Sequence, residues 1–246
     1  MSTTVAARPT TAATTFSASF YFWMVLLMAF FVFGGFGMTY WYPLAAGTFR
    51  PAPPVVHLHG LTYFSWMVLL VTQATLVNVR NVALHRSLGM FGIALAMAVI
   101  IMGALITILG ASRSSGGAAH GIYLGITAVT GFALLFTLAM RNTRRPDIHR
   151  RLILFAMLPL LPPGIHRLYM VPLGLQSFPV VAMYATLDVM ALAIIIHEWR
   201  RHGTIGKYTW IGAGWIVAQQ VVHWAVIDTP WFAGVVQSLG SLAQYR

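Results

Sequence analysis

Long apolar segments are the feature that most constrains the fold of this chain. Of its 246 residues, 59% are hydrophobic and 8% are charged, and the mean hydropathy is +0.78. A soluble domain carries about 25% charged residues, whereas a helix that crosses a bilayer needs roughly 20 apolar residues. Because backbone polar groups inside lipid must be hydrogen-bonded within the protein, we predict an all-α, polytopic membrane helical bundle.

Seven apolar segments are predicted to be transmembrane helices. They extend approximately over residues 20–42, 57–79, 88–111, 120–140, 152–173, 178–199 and 208–227. Residues 1–19, rich in Ser, Thr and Ala, are predicted to form a disordered N-terminal tail, residues 20–227 a single transmembrane domain, and residues 228–246 a short C-terminal tail. The chain has no cysteine, which excludes disulfides, thiolate metal sites and thiol catalysis.

The distribution of lysine and arginine predicts the orientation in the membrane. Eleven of the fifteen basic residues lie in the N-terminal tail and the connections on one side, three lie on the other side, and Arg167 falls within a span. Because basic residues accumulate on the cytoplasmic side, we expect a bacterial inner (plasma) membrane protein with a cytoplasmic N-terminus and an external C-terminus. The net charge of +11 belongs mostly to these helix ends, so membrane lipids, and not nucleic acid, are the expected partners.

A histidine stands at the start of four predicted helices, in a two-helix unit that occurs twice. The pairs His59-Gly60 and His120-Gly121 open the first helix of each unit, and the pairs His85-Arg86 and His149-Arg150 open the second. Two histidines from facing helices can occupy both axial positions of a haem iron, and glycines beside them leave room for the ring. His57 and His59 are about 200° apart around a helix, and we expect His59 to face inward.

These openings resemble the ascorbate-reducible transmembrane cytochrome b family. The resemblance rests on the His-Gly opening at His59, on Leu-His-x-x-x-Gly at His85, and on His120 followed by a glycine five residues later. It implies a four-helix core with two b-type haems, an outer one held by His59 and His120 and an inner one held by His85 and His149. The implied function is electron transfer within or across the membrane. A quinone or another redox partner is, separately, an expected partner of the chain.

The opening Leu84–Gly89 also resembles uncharacterised bacterial multi-pass membrane families that share a Leu-His-Arg-x-Leu-Gly motif. That likeness implies no particular chemistry.

Two ionisable residues within the predicted spans are further site candidates, because such side chains usually face a bundle interior or a polar cavity. Arg167 is expected to bind an anion, a haem propionate or a lipid headgroup. Asp188 would serve as a proton relay, ion ligand or counter-ion, or would be a buried acid bonded to a tyrosine or threonine. Pro159, Pro162 and Pro163 predict a kink before Arg167, since proline breaks the helical hydrogen-bond ladder.

Two other functions compete with a haem protein. The first is a membrane enzyme in which zinc or copper is bound by His59, His120, His166 and His223 in the outer half, with one position open for water and Asp188 beneath the metal as a base. The second is a non-catalytic subunit of a larger membrane complex.

Overall fold

The computed structural model describes residues 19–113, 119–175 and 178–243. Residues 1–18 of the predicted N-terminal tail lie outside these ranges. The α-helices are α1 (Phe20–Phe36), α2 (Tyr42–Ala45), α3 (Pro54–Asn78), α4 (Val82–Arg113), α5 (Ala119–Arg141), α6 (Pro146–Met157), α7 (Pro162–Leu173), α8 (Val180–His202), α9 (Lys207–Val226) and α10 (Pro230–Leu242). The described ranges contain no strand, which confirms the predicted all-α class.

Five helical segments are long and apolar enough to cross a membrane. They are Phe20–Ala45, which includes α1, a π-helical turn and α2, together with α3, α4, α5 and α8. Two bent pairs, α6 with α7 and α9 with α10, raise the number to seven if each pair is one span. The protein is therefore a multi-pass membrane helical bundle, as the composition predicts.

The fifth predicted span is broken at its prolines. After α6 the chain makes a 3-10 turn at Leu158–Leu160, and α7 then leaves at 49° to α6. Pro159 lies in this turn, where its missing N–H and its ring prevent a continuous α-helix. Beyond the break, Gly164 lies directly against α1, since a Cβ on Gly164 would be 2.5 Å from the backbone oxygen of Phe31. This close approach positions the rest of α7.

The segment predicted as a short C-terminal tail contains α10. The helix turns by 102° from α9 and packs mainly against α4, with further contacts to α5. Thr229 caps its N-terminus, because Thr229 Oγ1 accepts a hydrogen bond from Phe232 N at 3.2 Å. The pair Thr229-Pro230 is a helix-start signal, and it was available in the sequence.

The two ends of the bundle differ in charge. At the arginine-rich end, where α1 begins and α3 and α8 end, Ser19 N donates to Asn78 Oδ1 at 3.0 Å and the Phe20 ring stacks on His197 at 4.0 Å. The opposite, arginine-poor end contains the start of α3, the end of α4 and the start of α5. We use these two names for the ends below.

A buried ion pair joins three helices near the arginine-rich end. Arg151 Nη1 of α6 lies 2.5 Å from Glu198 Oε1 of α8, and their side chains are 8% and 3% exposed. Glu198 Oε1 also accepts a hydrogen bond from Gly206 N at 3.2 Å. Because Gly206 is the N-cap of α9, one carboxylate connects α6, α8 and the start of α9.

Candidate functional site

An apolar cavity of about 380 Å³ lies between α1, α3, α4, α5 and α7, in the half of the bundle toward the arginine-poor end. Most of its wall is aliphatic and aromatic. The side chains that bring polar chemistry to it are His59, Tyr63, Thr107, His166 and Arg167. The structure therefore brings together two histidines and the arginine predicted as site residues.

Glycines allow the helices around this cavity to approach one another. A Cβ on Gly103 would collide with the Tyr63 hydroxyl, and a Cβ on Gly125 would collide with Thr107 Oγ1. Both hydroxyls are hydrogen-bonded to backbone, Tyr63 to Val99 O at 3.1 Å and Thr107 to Gly103 O at 2.7 Å. The glycines thus let α3, α4 and α5 pack closely around the cavity.

His59 carries the most informative polar atom in the cavity wall. Its Nδ1 is buried and has no hydrogen-bond partner among the described residues. The ring lies against Tyr63, with centroids 4.2 Å apart, and within electrostatic reach of Arg167. His57, two residues earlier, turns away and lies 2.8 Å from the Tyr40 hydroxyl through its own Nδ1.

Arg167 is held in the cavity wall by neighbours from two helical segments. Its Nε donates to Thr39 Oγ1 at 3.0 Å, and its Nη1 donates to Pro163 O at 2.7 Å. The guanidinium carbon lies 4.1 Å above the Phe36 ring. These hydrogen bonds use two of the five N–H donors of the guanidinium, so the remaining donors on Nη1 and Nη2 are left for an acceptor in the cavity.

His166 and His120 both stack on the ring of Phe178. The His166 ring stacks on Phe178 with centroids 4.2 Å apart, and the His120 ring stacks on Phe178 at 5.9 Å. Phe178 and His166 line the cavity, whereas His120 does not. No sequence pattern signals this role of Phe178, which lies between α7 and α8.

His120 is paired with His223. His120 Nδ1 lies 3.0 Å from His223 Nε2, and His223 Nδ1 lies 2.6 Å from the Tyr184 hydroxyl. His223 is fully buried and stacks on Tyr123 at 4.5 Å. Both nitrogens of His223 are therefore occupied by other side chains.

The four histidines of the zinc or copper hypothesis thus separate into two groups. His59 and His166 line the cavity, and His120 and His223 bond to each other. Among residues 19–113, 119–175 and 178–243, no group of three or more His, Cys, Asp or Glu side chains could hold a metal ion. The histidine geometry consequently offers no specific support for a metal-dependent enzyme.

His85 and His149 lie near the arginine-rich end. His149 Nδ1 donates to Ala139 O at 2.9 Å, which leaves the Nε2 lone pair available to a ligand. His85 Nδ1 is buried and unpaired within the described part of the chain, and the two rings are within electrostatic reach. The resemblance pairs these two histidines, and the structure places them near each other.

Asp188 is not the buried acid, bonded to a tyrosine or threonine, that was one expectation for it. It is exposed on α8, and its Oδ1 accepts a hydrogen bond from Gln220 Nε2 of α9 at 2.7 Å. The residue therefore lies on the lipid-facing side of the bundle and not in the cavity.

No protein-family model, curated protein or solved structure matches this chain. The likeness to the cytochrome b family rests on the short motifs around His59, His85 and His120.

Proposed function

We propose that this chain is an integral membrane b-type haem protein that carries electrons within or across the membrane. The observation that carries the proposal is the unpaired, buried Nδ1 of His59 in the wall of a largely apolar cavity. Buried polar atoms without a partner are uncommon, and each calls for an explanation. A histidine nitrogen beside an apolar slot is what an axial position of haem iron requires.

The other residues of the cavity fit the same group. Its aliphatic and aromatic walls suit a porphyrin face, and His166 is the second histidine in them. Arg167 would hold a propionate carboxylate through a charge-assisted hydrogen bond, with Thr39 and Pro163 keeping the guanidinium in place. The haem would supply one-electron chemistry, with a potential that depends on the axial ligands and on the polarity around them.

The axial partner of His59 is the point on which geometry and resemblance differ. The resemblance pairs it with His120, and this pairing stays a prediction. We favour His166, because it lines the same cavity as His59, whereas His120 does not. Replacing each of the two histidines separately distinguishes these assignments.

A second site is proposed for His85 and His149 near the arginine-rich end. The hydrogen bond from His149 Nδ1 to Ala139 O orients that ring, as second-shell hydrogen bonds orient histidine ligands in metal sites. Sites in both halves of the bundle would give electrons a route through the membrane.

The proposed orientation follows from the charge difference between the ends. With the arginine-rich end in the cytoplasm of a bacterial cell, the cavity lies in the outer half of the inner membrane. A quinone or another redox partner would then exchange electrons with the cavity site from that side.

The proposal is tested by an absorption spectrum of protein purified in detergent after expression with added haem precursor. Reduced-minus-oxidised Soret and alpha bands are expected, and haem content is measured as the pyridine haemochrome. His59→Ala should remove the cavity haem, whereas the matched variant His57→Ala should retain it, because His57 bonds to Tyr40 outside the cavity.

The partner histidine is identified by the same measurement. His166→Ala should remove the cavity haem if His166 is the second ligand, and His120→Ala should do so if the resemblance is right. A featureless spectrum from monodisperse, helical wild-type protein would refute the haem proposal.

A further inference from the structure

We propose that the cavity selects a ligand that carries a carboxylate on an apolar body, and that Thr39, in the π-helical turn of α1, sets this selectivity through Arg167. A haem propionate and a long-chain fatty acid both supply such a group. The inference deepens the proposed function and rests on it for the haem propionate, and it extends the ligand class to fatty acids. Thr39 acts as a positioning residue, because it does not line the cavity itself.

Arg167 is a cation in the cavity wall without an acidic partner. The described ranges include all four acidic residues of the chain, and neither of the ion pairs in these ranges contains Arg167. An unpaired charge within the membrane is costly, and arginine does not lose its proton in proteins. An anionic group on a ligand in the cavity would supply the missing partner.

The helix α1 continues into a π-helical turn, Gly37–Trp41, beside the cavity. Its i→i+5 hydrogen bonding gives this turn one residue more than a turn of α-helix. Such turns are rare and are frequent at functional sites. Here two consecutive side chains of the turn reach different helices, since Thr39 bonds to Arg167 of α7 and the Tyr40 hydroxyl lies 2.8 Å from His57 Nδ1 of α3.

A backbone contact between α1 and α7 lies one turn away from the bond between Thr39 and Arg167. A Cβ on Gly35 would collide with Gly164 O. Gly35 precedes Thr39 by four residues and Gly164 precedes Arg167 by three, and residues at these spacings are neighbours on a helix surface. The close contact of the two glycines therefore holds the helices at the separation that Thr39 and Arg167 require.

The hydrogen bonds of Thr39 determine which donors of Arg167 remain for a ligand. Thr39 Oγ1 donates to Gly35 O at 3.2 Å, so it accepts from Arg167 Nε at 3.0 Å. Arg167 Nη1 donates to Pro163 O at 2.7 Å, and the Phe36 ring lies 4.1 Å from the guanidinium carbon. The remaining N–H groups lie on Nη1 and Nη2, and two parallel N–H groups match the two oxygens of a carboxylate.

The rest of the cavity requires an apolar body on the same ligand. The wall near Arg167 includes Val32, Phe64, Met67 and Leu160, within a cavity of about 380 Å³. A small inorganic anion would leave this apolar surface uncovered, and a neutral lipid would leave Arg167 without a charged partner. A free acid should therefore bind more tightly than its ester, although the two have nearly the same apolar body.

The test compares two acids with their methyl esters. The probes are iron-free protoporphyrin IX and its dimethyl ester, and oleic acid and methyl oleate. They are titrated into the purified protein in nanodiscs of zwitterionic lipid, with correction for partition into empty nanodiscs. Porphyrin binding is followed by quenching of tryptophan fluorescence, since Trp66 lines the cavity, and oleate binding by displacement of a fluorescent fatty acid. Wild type should bind a free acid about tenfold more tightly than its ester.

Three variants locate the source of this preference. Arg167→Gln should remove it, and Thr39→Val, which keeps the shape of the side chain but not the acceptor, should reduce it about fivefold. Thr39→Ser, which keeps the hydroxyl, should restore it. Thr48→Val is the matched control, because Thr48 bonds to Pro43 O outside the cavity, and it should retain the wild-type preference.

Equal binding of acid and ester by wild type in both pairs would overturn the proposal. A monodisperse, helical Thr39→Val protein with the full wild-type preference would also overturn it. A preference for oleic acid in a protein that takes up no haem would refute the haem proposal alone. Normal haem content without any preference for acids would refute the carboxylate selectivity alone, and a preference confined to protoporphyrin IX would assign the carboxylate to the propionate.

Discussion

Replacing Glu198 by leucine should destabilise the bundle by about 3–5 kcal/mol, because it leaves Arg151 as a buried charge without its partner. The magnitude follows from burial, since both side chains are less than one-tenth exposed and their charged atoms lie 2.5 Å apart. The substitution also removes the acceptor for Gly206 N at the start of α9, and an intramolecular hydrogen bond typically contributes about 1 kcal/mol.

The double variant Arg151→Met/Glu198→Leu should lose only about 1 kcal/mol. Replacing both members of a buried pair by apolar side chains is often neutral or stabilising. The destabilisation that remains then comes mainly from the lost hydrogen bond to Gly206 N. The wild-type pair is also incompletely satisfied, because Arg151 Nε and Glu198 Oε2 are buried without partners in the described structure. Strong coupling between the two single substitutions is therefore expected.

The free energy of unfolding is measured by titration with sodium dodecyl sulfate in mixed micelles, followed by far-ultraviolet circular dichroism. Arg150→Met is the matched control, because the Arg150–Asp147 pair is 30% and 47% exposed and exposed ion pairs contribute less than about 1 kcal/mol. A loss in Glu198→Leu no larger than in the control, or a double variant as unstable as the sum of the single ones, would refute the reasoning.

Three further predictions concern other parts of the bundle. Gly164→Ala should lower the free energy of unfolding by about 1–3 kcal/mol in the same titration, because the added methyl meets the α1 backbone. Gly234→Ala, where a Cβ meets nothing within 4 Å, should not lower it. Equal effects of the two substitutions would contradict the close contact of α1 and α7. Thr229→Ala should destabilise α10 by about 1 kcal/mol, seen as faster amide hydrogen exchange in α10, and unchanged exchange would exclude the cap. Arg167→Gln should lower the haem content, or the midpoint potential of the haem in a redox titration. If both values are unchanged in the variant, Arg167 is not part of the haem site.

The fold was predictable because membrane insertion leaves few alternatives for so apolar a chain. The break in the fifth span was also predictable, since Pro159 removes a hydrogen bond wherever the helix lies. The helix α10 was missed because its 13 residues are too short to cross a bilayer and its packing on α4 is a tertiary contact. Its cap at Thr229 was nonetheless visible in the sequence.

The candidate site was only partly predictable. The rotation of about 200° between His57 and His59 predicted that one faces inward, and the structure places His59 in the cavity. The pairing of His120 with His223, by contrast, depends on how α5 and α9 are rotated about their axes. No local pattern encodes that rotation, and the repeated motif instead suggested that His120 faces His59.

The ion pair between α6 and α8 also has a consequence for biogenesis. Arg151 leaves the ribosome before α8 has been made, so a nascent chain at that stage has a guanidinium at the arginine-rich end and no carboxylate to pair with it. The side chain can form its buried ion pair only after Glu198 has been inserted, and Gly206 must follow before its N–H can donate to the same carboxylate. Assembly of the arginine-rich end is therefore a late, post-insertion event, and chains truncated before α8 should remain substrates for membrane quality-control proteases.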